Sequence, residues 1–141
     1  MELLRKRLEE DPFARHLKIQ LLDVREGYAR ASMPLEENHR NAFGMVHGGA
    51  IFGLADCVFQ AASNSHGVYS VAIQASISYF QAPRTDILYA EATEVSRTKR
   101  LANYTIRVTE GGDSLVASFQ GFVYRMPDKP QPGASAADKP A

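Results

Sequence analysis

The chain has 141 residues, enough for one domain with a real core, and its 45% hydrophobic and 23% charged content is ordinary for a globular protein. Sixteen Lys plus Arg balance sixteen Asp plus Glu, so no global field exists to gather nucleic acid or an anionic membrane. The one cysteine, Cys57, excludes an internal disulfide, and the four histidines are too scattered for a zinc site.

The opening Met-Glu-Leu-Leu-Arg-Lys-Arg-Leu-Glu-Glu lacks the apolar run of a secretory signal. No stretch approaches the ~18 apolar residues that cross a bilayer, so a cytoplasmic protein is expected. Residues 2–10 read as a short helix with Leu3, Leu4 and Leu8 on one side, stopped at Asp11-Pro12. Leu17 to Val24 and Tyr28 to Met33 read as strands joined at Glu26-Gly27. A polar loop follows from Pro34 to Val46. From about Gly48 to Asn64 runs the one long helix, apolar nearly all round and so expected to be buried on most sides.

Strand signals fill most of the remainder. Tyr69, Val71, Ile73, Ala75, Ile77 and Tyr79 alternate with Ser, Ala and Gln at a period of two. Further strands are expected over Ile87 to Val95, Ala102 to Thr109 and Leu115 to Tyr124. They are separated by the turns at 96–100 and Gly111-Gly112-Asp113. Residues 1–126 form the expected single domain, and 127–141, with four prolines and no aromatic, are expected to be a disordered tail. Short turns imply antiparallel neighbours, and the apolar face of a sheet needs a cover. An α+β arrangement satisfies both demands: a curved antiparallel sheet wrapped around the long helix, which is the hotdog architecture.

The long helix carries one anomalous face. At ~100° per residue, Gly49, Gly53, Asp56, Gln60 and Ser63 form a small or polar stripe on an otherwise apolar rod. A carboxylate there is costly to bury without compensation; the bland alternatives are a rim position or a structural pair with an Arg. His47-Gly48-Gly49 opens the helix, where unpartnered amides and the macrodipole suit a carbonyl oxygen that develops negative charge. Gly48 and Asp56 are eight residues apart, ~12 Å along the axis, too far for both to act on one carbonyl. Two such helices, packed antiparallel about a twofold axis, would bring one copy's Gly48 to the other's Asp56.

The run from Asn41 through His47-Gly48-Gly49 to Leu54-Ala55-Asp56 resembles the signature of the phenylacetate-pathway (PaaI-like) thioesterases of the hotdog superfamily. Similarity extends from about Asn38 to Tyr124, including the Ser76-Ile77-Ser78-Tyr79 strand and the turn around Lys99. The resemblance implies a homotetramer, a dimer of dimers, binding acyl-CoA at subunit interfaces, with no metal and no cofactor besides the coenzyme A of the substrate. It further implies that the Gly48 amide polarises the thioester carbonyl, that Asn41 helps to place the carbonyl or the water, and that Asp56 of the neighbouring subunit is base or nucleophile. Gln60 stands where relatives carry a water-positioning side chain. Cys57 departs from the Thr or Asn of several relatives and is read as packing rather than as a nucleophile.

His47 has two readings, a side chain that ties down its loop or a direct contact to the carbonyl. His39 and His66 read as surface loop residues, and His16 has no interpretable context. Arg97, Lys99 and Arg100 cluster at a turn; such runs are often only solvated, but the resemblance supports a clamp for the coenzyme A phosphates, with Arg84 as a fourth cation. Thioester hydrolysis needs little more than one carboxylate and an oxyanion holder, because a thiol leaves readily. The alternatives are a non-catalytic acyl-CoA sensor, a hotdog dehydratase and a structural oligomerisation domain.

Overall fold

In the structure, a computed structural model that describes residues 1–132, the long helix is the centre about which everything else is arranged. The chain forms α1 (Glu2–Glu9), α2 (Pro12–His16), β1 (Gln20–Arg25), β2 (Tyr28–Pro34), a 3-10 turn (Glu37–His39), α3 (Gly48–Ser63), β3 (Tyr69–Tyr79), β4 (Ile87–Arg97), β5 (Leu101–Glu110) and β6 (Ser114–Met126). The six strands make one antiparallel sheet in the order β1-β2-β4-β5-β6-β3, with β1 and β3 at its edges. This is the hotdog fold. Among the described residues no helix is long and apolar enough to cross a membrane.

Small residues let α3 lie close to the sheet. Ala29 pairs with Ala92 and Ala31 with Ala90, giving a floor of methyl groups on β2 and β4 that is wholly buried. Farther along, the Phe59 ring of α3 lies over Gly121 of β6 and against Tyr104 and Phe119. These contacts seat the helix, and with it Gly48 and Asp56.

Several expectations are corrected. Asp11-Pro12 does end α1 at Glu9, but it also starts α2: the Asp11 carboxylate caps the Ala14 amide at 2.9 Å, and proline occupies the first helical turn, where its missing N–H costs nothing. The first strand therefore begins at Gln20 rather than Leu17. The period-two pattern of β3 is broken by a bulge at Ile73, between the pairs Ala72–Val123 and Gln74–Phe122. Tyr69 and Val71 consequently share the outer face with Tyr124, while Ala75, Ile77 and Tyr79 share the inner face with Gly121, Phe119 and Ala117.

Neither loop histidine is a free surface group. His39 is 0% exposed: Nδ1 accepts from the Glu36 amide at 2.9 Å and Nε2 lies 2.7 Å from the Leu17 carbonyl, which ties the loop to α2. His66 is nearly buried and meets Glu94 Oε1 at 3.0 Å, an oxygen that also accepts from Tyr104. Of the expected tail, residues 127–132 return across the domain. Asp128 pairs with Arg100, Gln131 donates to the Asn64 carbonyl, and the Pro132 carbonyl accepts from Arg7. Residues 133–141 lie outside the described residues.

One buried carboxylate fastens the β3–β4 connection. Glu110 is 4% exposed and accepts from the Arg84 and Thr85 amides at 2.8–3.1 Å and from the Thr85 hydroxyl at 2.9 Å. Burial alone would raise its pKa, but these hydrogen bonds together outweigh burial and lower it. Its contribution to stability is thus present above the unfolded value near ~4.3 and is lost as pH falls through the lower folded value. Glu110→Gln, which faces an amide NH2 toward donors, is expected to cost about 2 kcal/mol at pH 7 in urea unfolding, with the difference from the native protein shrinking below pH 4.

Candidate active site

The start of α3 is built to leave one amide unpartnered. His47 is the N-cap, and its Nδ1 accepts from the Gly49 amide at 2.8 Å, which leaves Nε2 of the neutral ring as its donor. The ring ties down its own loop, as the blander reading expects. It also takes the Gly49 amide out of play as a substrate donor. The Ala50 and Ile51 amides turn to the His47 carbonyl. The Gly48 amide has no partner among the described residues, so the two glycines have different parts: Gly48 offers an N–H and Gly49 completes a cap.

Asn41 holds the preceding loop. Its Oδ1 accepts from the amides of Phe43 and Met45 at 2.9 and 3.1 Å, closing a turn that delivers His47 to the helix. The side-chain amide remains available. A residue that sequence reasoning missed lies on the other side: the Tyr79 hydroxyl donates to the Gly48 carbonyl at 2.9 Å, with its ring against the Gly48 Cα. Only the strand register brings Tyr79 to Gly48, so no local signal announces it.

Asp56 sits two turns along the same unbroken helix, half-buried. Burial pushes its pKa up, and the negative charge of Asp11 pushes it further in the same direction. No ion pair or hydrogen bond to the Asp56 carboxylate is present among the described residues, so the structural-pair reading finds no Arg. Gln60, one turn on and exposed, lines the same opening as Asp56 together with Ser63, Leu8 and Asp11. Gly53 serves packing instead, because a β-carbon there would lie 2.8 Å from Leu17 and 3.1 Å from Phe13. Burial, followed by the charges of Asp11 and Asp56, pushes the Cys57 thiol up to about 12, so at neutral pH it remains a protonated packing group.

The open Gly48 amide and the Asp56 carboxylate without a counter-ion lie within a stretch that matches a known family: the sequence pattern describing the Thioesterase superfamily covers residues 43–117. The chain belongs to the thioesterase superfamily. A protein of Archaeoglobus fulgidus that carries an esterase name is 41% identical over 111 residues, 78% of this chain and 72% of that one. The acyl-coenzyme A thioesterase PaaI of Escherichia coli is 31% identical over 119 residues, 84% of this chain and 85% of its own. The solved structure of the E. coli PaaI protein from the phenylacetic acid degradation operon superposes with a TM-score of 0.81 at 30% identity, covering 86% of this chain and 88% of that one. Thioester hydrolysis is therefore the chemistry of this protein, rather than dehydration or structural assembly alone.

Of the four cations expected to form a phosphate clamp, Arg97, Lys99 and Arg100 share the β4–β5 turn and Arg84 does not. Arg97 turns to Glu94 at 3.4 Å, and Arg100 pairs with Asp128 at 3.2 Å. Arg84 belongs to the opposite end of the sheet: β4 has eleven residues, ~35 Å, between its connection and the Lys99 turn. Lys99 is exposed and without a carboxylate partner among the described residues. Its turn is stiffened by the buried Arg125, which donates to the carbonyls of Thr98 and Lys99.

Proposed function

We propose that this thioesterase hydrolyses acyl-CoA to a free acid and coenzyme A in a site shared by two subunits. The observation that carries the reading is the division of labour along α3, with the open Gly48 amide at its first residue and the unpaired Asp56 carboxylate two turns away. Gly48 of one subunit holds the thioester oxygen as charge develops on it, and Asn41 supports that carbonyl or the water through its unused side-chain amide. Asp56 of the partner subunit either removes a proton from water or attacks the carbonyl carbon itself; Gln60 orients the water. The C–S bond breaks and the thiolate, of ordinary pKa near ~8.5, leaves without metal or cofactor. Single-turnover hydrolysis in heavy-oxygen water separates the two routes, because only nucleophilic attack leaves label in the Asp56 carboxyl.

The open edge of β3 supports a dimer in which two β3 strands pair. That strand is eleven residues long, forms an open edge, and carries exposed Ile73 and Tyr79, with exposed Phe80 directly after it. Val95, Leu101, Phe122 and Tyr124 form a further exposed apolar group on the sheet, which supports a second contact and so a dimer of dimers. The E. coli relative, an acyl-coenzyme A thioesterase from a phenylacetic acid degradation operon, supports an aryl acyl group and a place in phenylacetate degradation; hydroxylated phenylacetyl-CoA or a medium-chain ester as substrate, in the cytoplasm, belongs to the same proposal.

Subunit complementation tests the shared site. Gly48→Pro deletes the amide at the helix position that best tolerates proline; His47, at φ −67 and ψ 133, is already in the geometry that precedes proline, and only the Tyr79 ring must give. Gly48→Pro and Asp56→Asn are each expected to be nearly inactive. When the two are unfolded and refolded together, about a quarter of native activity is expected, since half of the random dimers carry one intact site of two. A mixture no more active than its parts would place both groups of each site in one chain. Lys99→Ala is expected to raise KM for acyl-CoA about tenfold but not for the matching acyl-pantetheine, since one charge-assisted phosphate contact is lost. Equal effects on both would remove Lys99 from phosphate binding.

A further inference from the structure

Helices α1 and α2 lie outside the matched residues 43–117, yet they help to wall the part of α3 that carries Asp56. Between them, β1 and α3 is a cavity of about 360 Å³. That volume falls within the ~300–1,000 Å³ of small-molecule pockets, near the lower end. Leu8 of α1, Ile19 and Leu22 on one side and Val58 and Ala61 of α3 on the other make its wall apolar. A second space of about 490 Å³, lined by Asp56, shares Leu8, Asp11 and Gln60 with it. A group reaching the apolar cavity from Asp56 therefore passes Gln60 and Asp11. The charged residues lining the apolar cavity, Glu9 and Asp11, are both acidic; Arg7 lines the second space only, and Arg15, which donates to the Glu9 carbonyl at 3.0 Å, lines neither. Asp11 is fixed in place by its cap on Ala14.

We propose that this cavity receives the acyl part of the substrate, and that Glu9 and Asp11 select neutral acyl or aryl groups against acyl chains ending in a carboxylate. The inference rests on the acyl-CoA reading of Asp56. An apolar wall beside the reacting carbon gains from covering hydrocarbon at ~25 cal/mol per Å². A terminal carboxylate there would lose water and meet two like charges, with no cation among the residues that line the cavity. The cavity's size admits an aryl ring or a medium chain and leaves a long chain projecting past the exposed Leu22.

The test compares acyl-CoA esters of equal length on the purified full chain. Hexanoyl-CoA is expected to exceed adipoyl-CoA in kcat/KM by about a hundredfold, as two acidic neighbours act together. Asp11→Asn keeps a good N-cap and is expected to narrow that ratio about tenfold. The ratio is the readout because loss of the Asp11 charge also acts on Asp56, an effect common to both substrates. Leu8→Trp, which fills the cavity from α1, is expected to lower the hexanoyl-to-acetyl ratio about tenfold. A native enzyme that hydrolyses adipoyl-CoA as fast as hexanoyl-CoA overturns the proposal, as do ratios that neither variant changes twofold. Failure of the native chain to hydrolyse any acyl-CoA would instead remove the reading of Asp56 on which the proposal stands.

Discussion

Asp56→Asn is expected to lower kcat/KM for acyl-CoA by ~10²–10⁴-fold, the range for loss of a positioned acid–base group, with the oligomer unchanged. Asparagine has nearly the shape of aspartate but neither takes a proton from water nor forms an anhydride. The same substitution is expected to leave the melting temperature equal or higher at pH 7. A carboxylate whose pKa is raised by burial is held ionised at a cost to folding, and that cost grows as pH rises through the raised value. Chemistry and stability thus pull in opposite directions at this residue.

The pH profile gives a second check. Only ionised Asp56 can act, so activity should fall on the acid side at a pH above the usual carboxylate value of ~3.9. Burial causes most of the displacement and Asp11 the rest, so Asp11→Asn should move this limb toward lower pH without removing the displacement. A purified Asp56→Asn enzyme that turned over at the native rate would end the assignment.

Gly121→Val is expected to destabilise the fold by about 3 kcal/mol or more and to lower the melting temperature by roughly 10 °C, which is the largest structural effect anticipated. A β-carbon at Gly121 would lie 2.5, 2.6 and 2.8 Å from three carbons of the Phe59 ring. Phe59 is 2% exposed and wedged against Tyr104 and Phe119, so it has little space to retreat. Relief would have to come from lifting α3 off the sheet, which would also displace Asp56 from its surroundings. Phe59→Leu in the Gly121→Ala background is expected to recover part of the loss, because the two sites share one volume. Thermal unfolding followed by circular dichroism measures both. An unchanged midpoint in Gly121→Ala would mean that the helix is not seated as described.

Local chemistry made much of this protein legible in its residues. The long helix, the hairpin at Gly27, the Gly111-Gly112-Asp113 turn and the antiparallel strands follow from periodicity and turn residues. So does the stripe containing Asp56, because helical spacing by itself puts Asp56 and Gln60 on one face. The family could be identified from the Asn41-to-Asp56 run for the same reason: its informative residues are consecutive or nearly so. What sequence reasoning missed depends on register, on contacts between distant segments, and on a local cap whose conformation composition does not fix. A bulge at Ile73 reversed the faces of half of β3, and a period-two pattern carries no mark of one inserted residue. Asp11-Pro12 has the composition of both a stop and a start, and only the Ala14 cap decides between them.

Charge and exposure followed the same division. His39 and His66 look like loop histidines until Leu17 and Glu94 close over them, and Arg84 reads as a fourth cation for the Arg97–Arg100 turn until the length of β4 sets the two apart. By itself the sequence determined which side chains exist within a few residues of each other, and hence the helix, its polar stripe and the family signature. Only the tertiary structure decided that the Gly48 amide is open while that of Gly49 is taken, that Tyr79 reaches Gly48, and that α1 and α2 wall the space beside Asp56. The physical reason is that burial and the Tyr79 contact are settled between segments far apart in the chain, and that even the short His47–Gly49 bond depends on a loop conformation that spacing along the sequence does not specify.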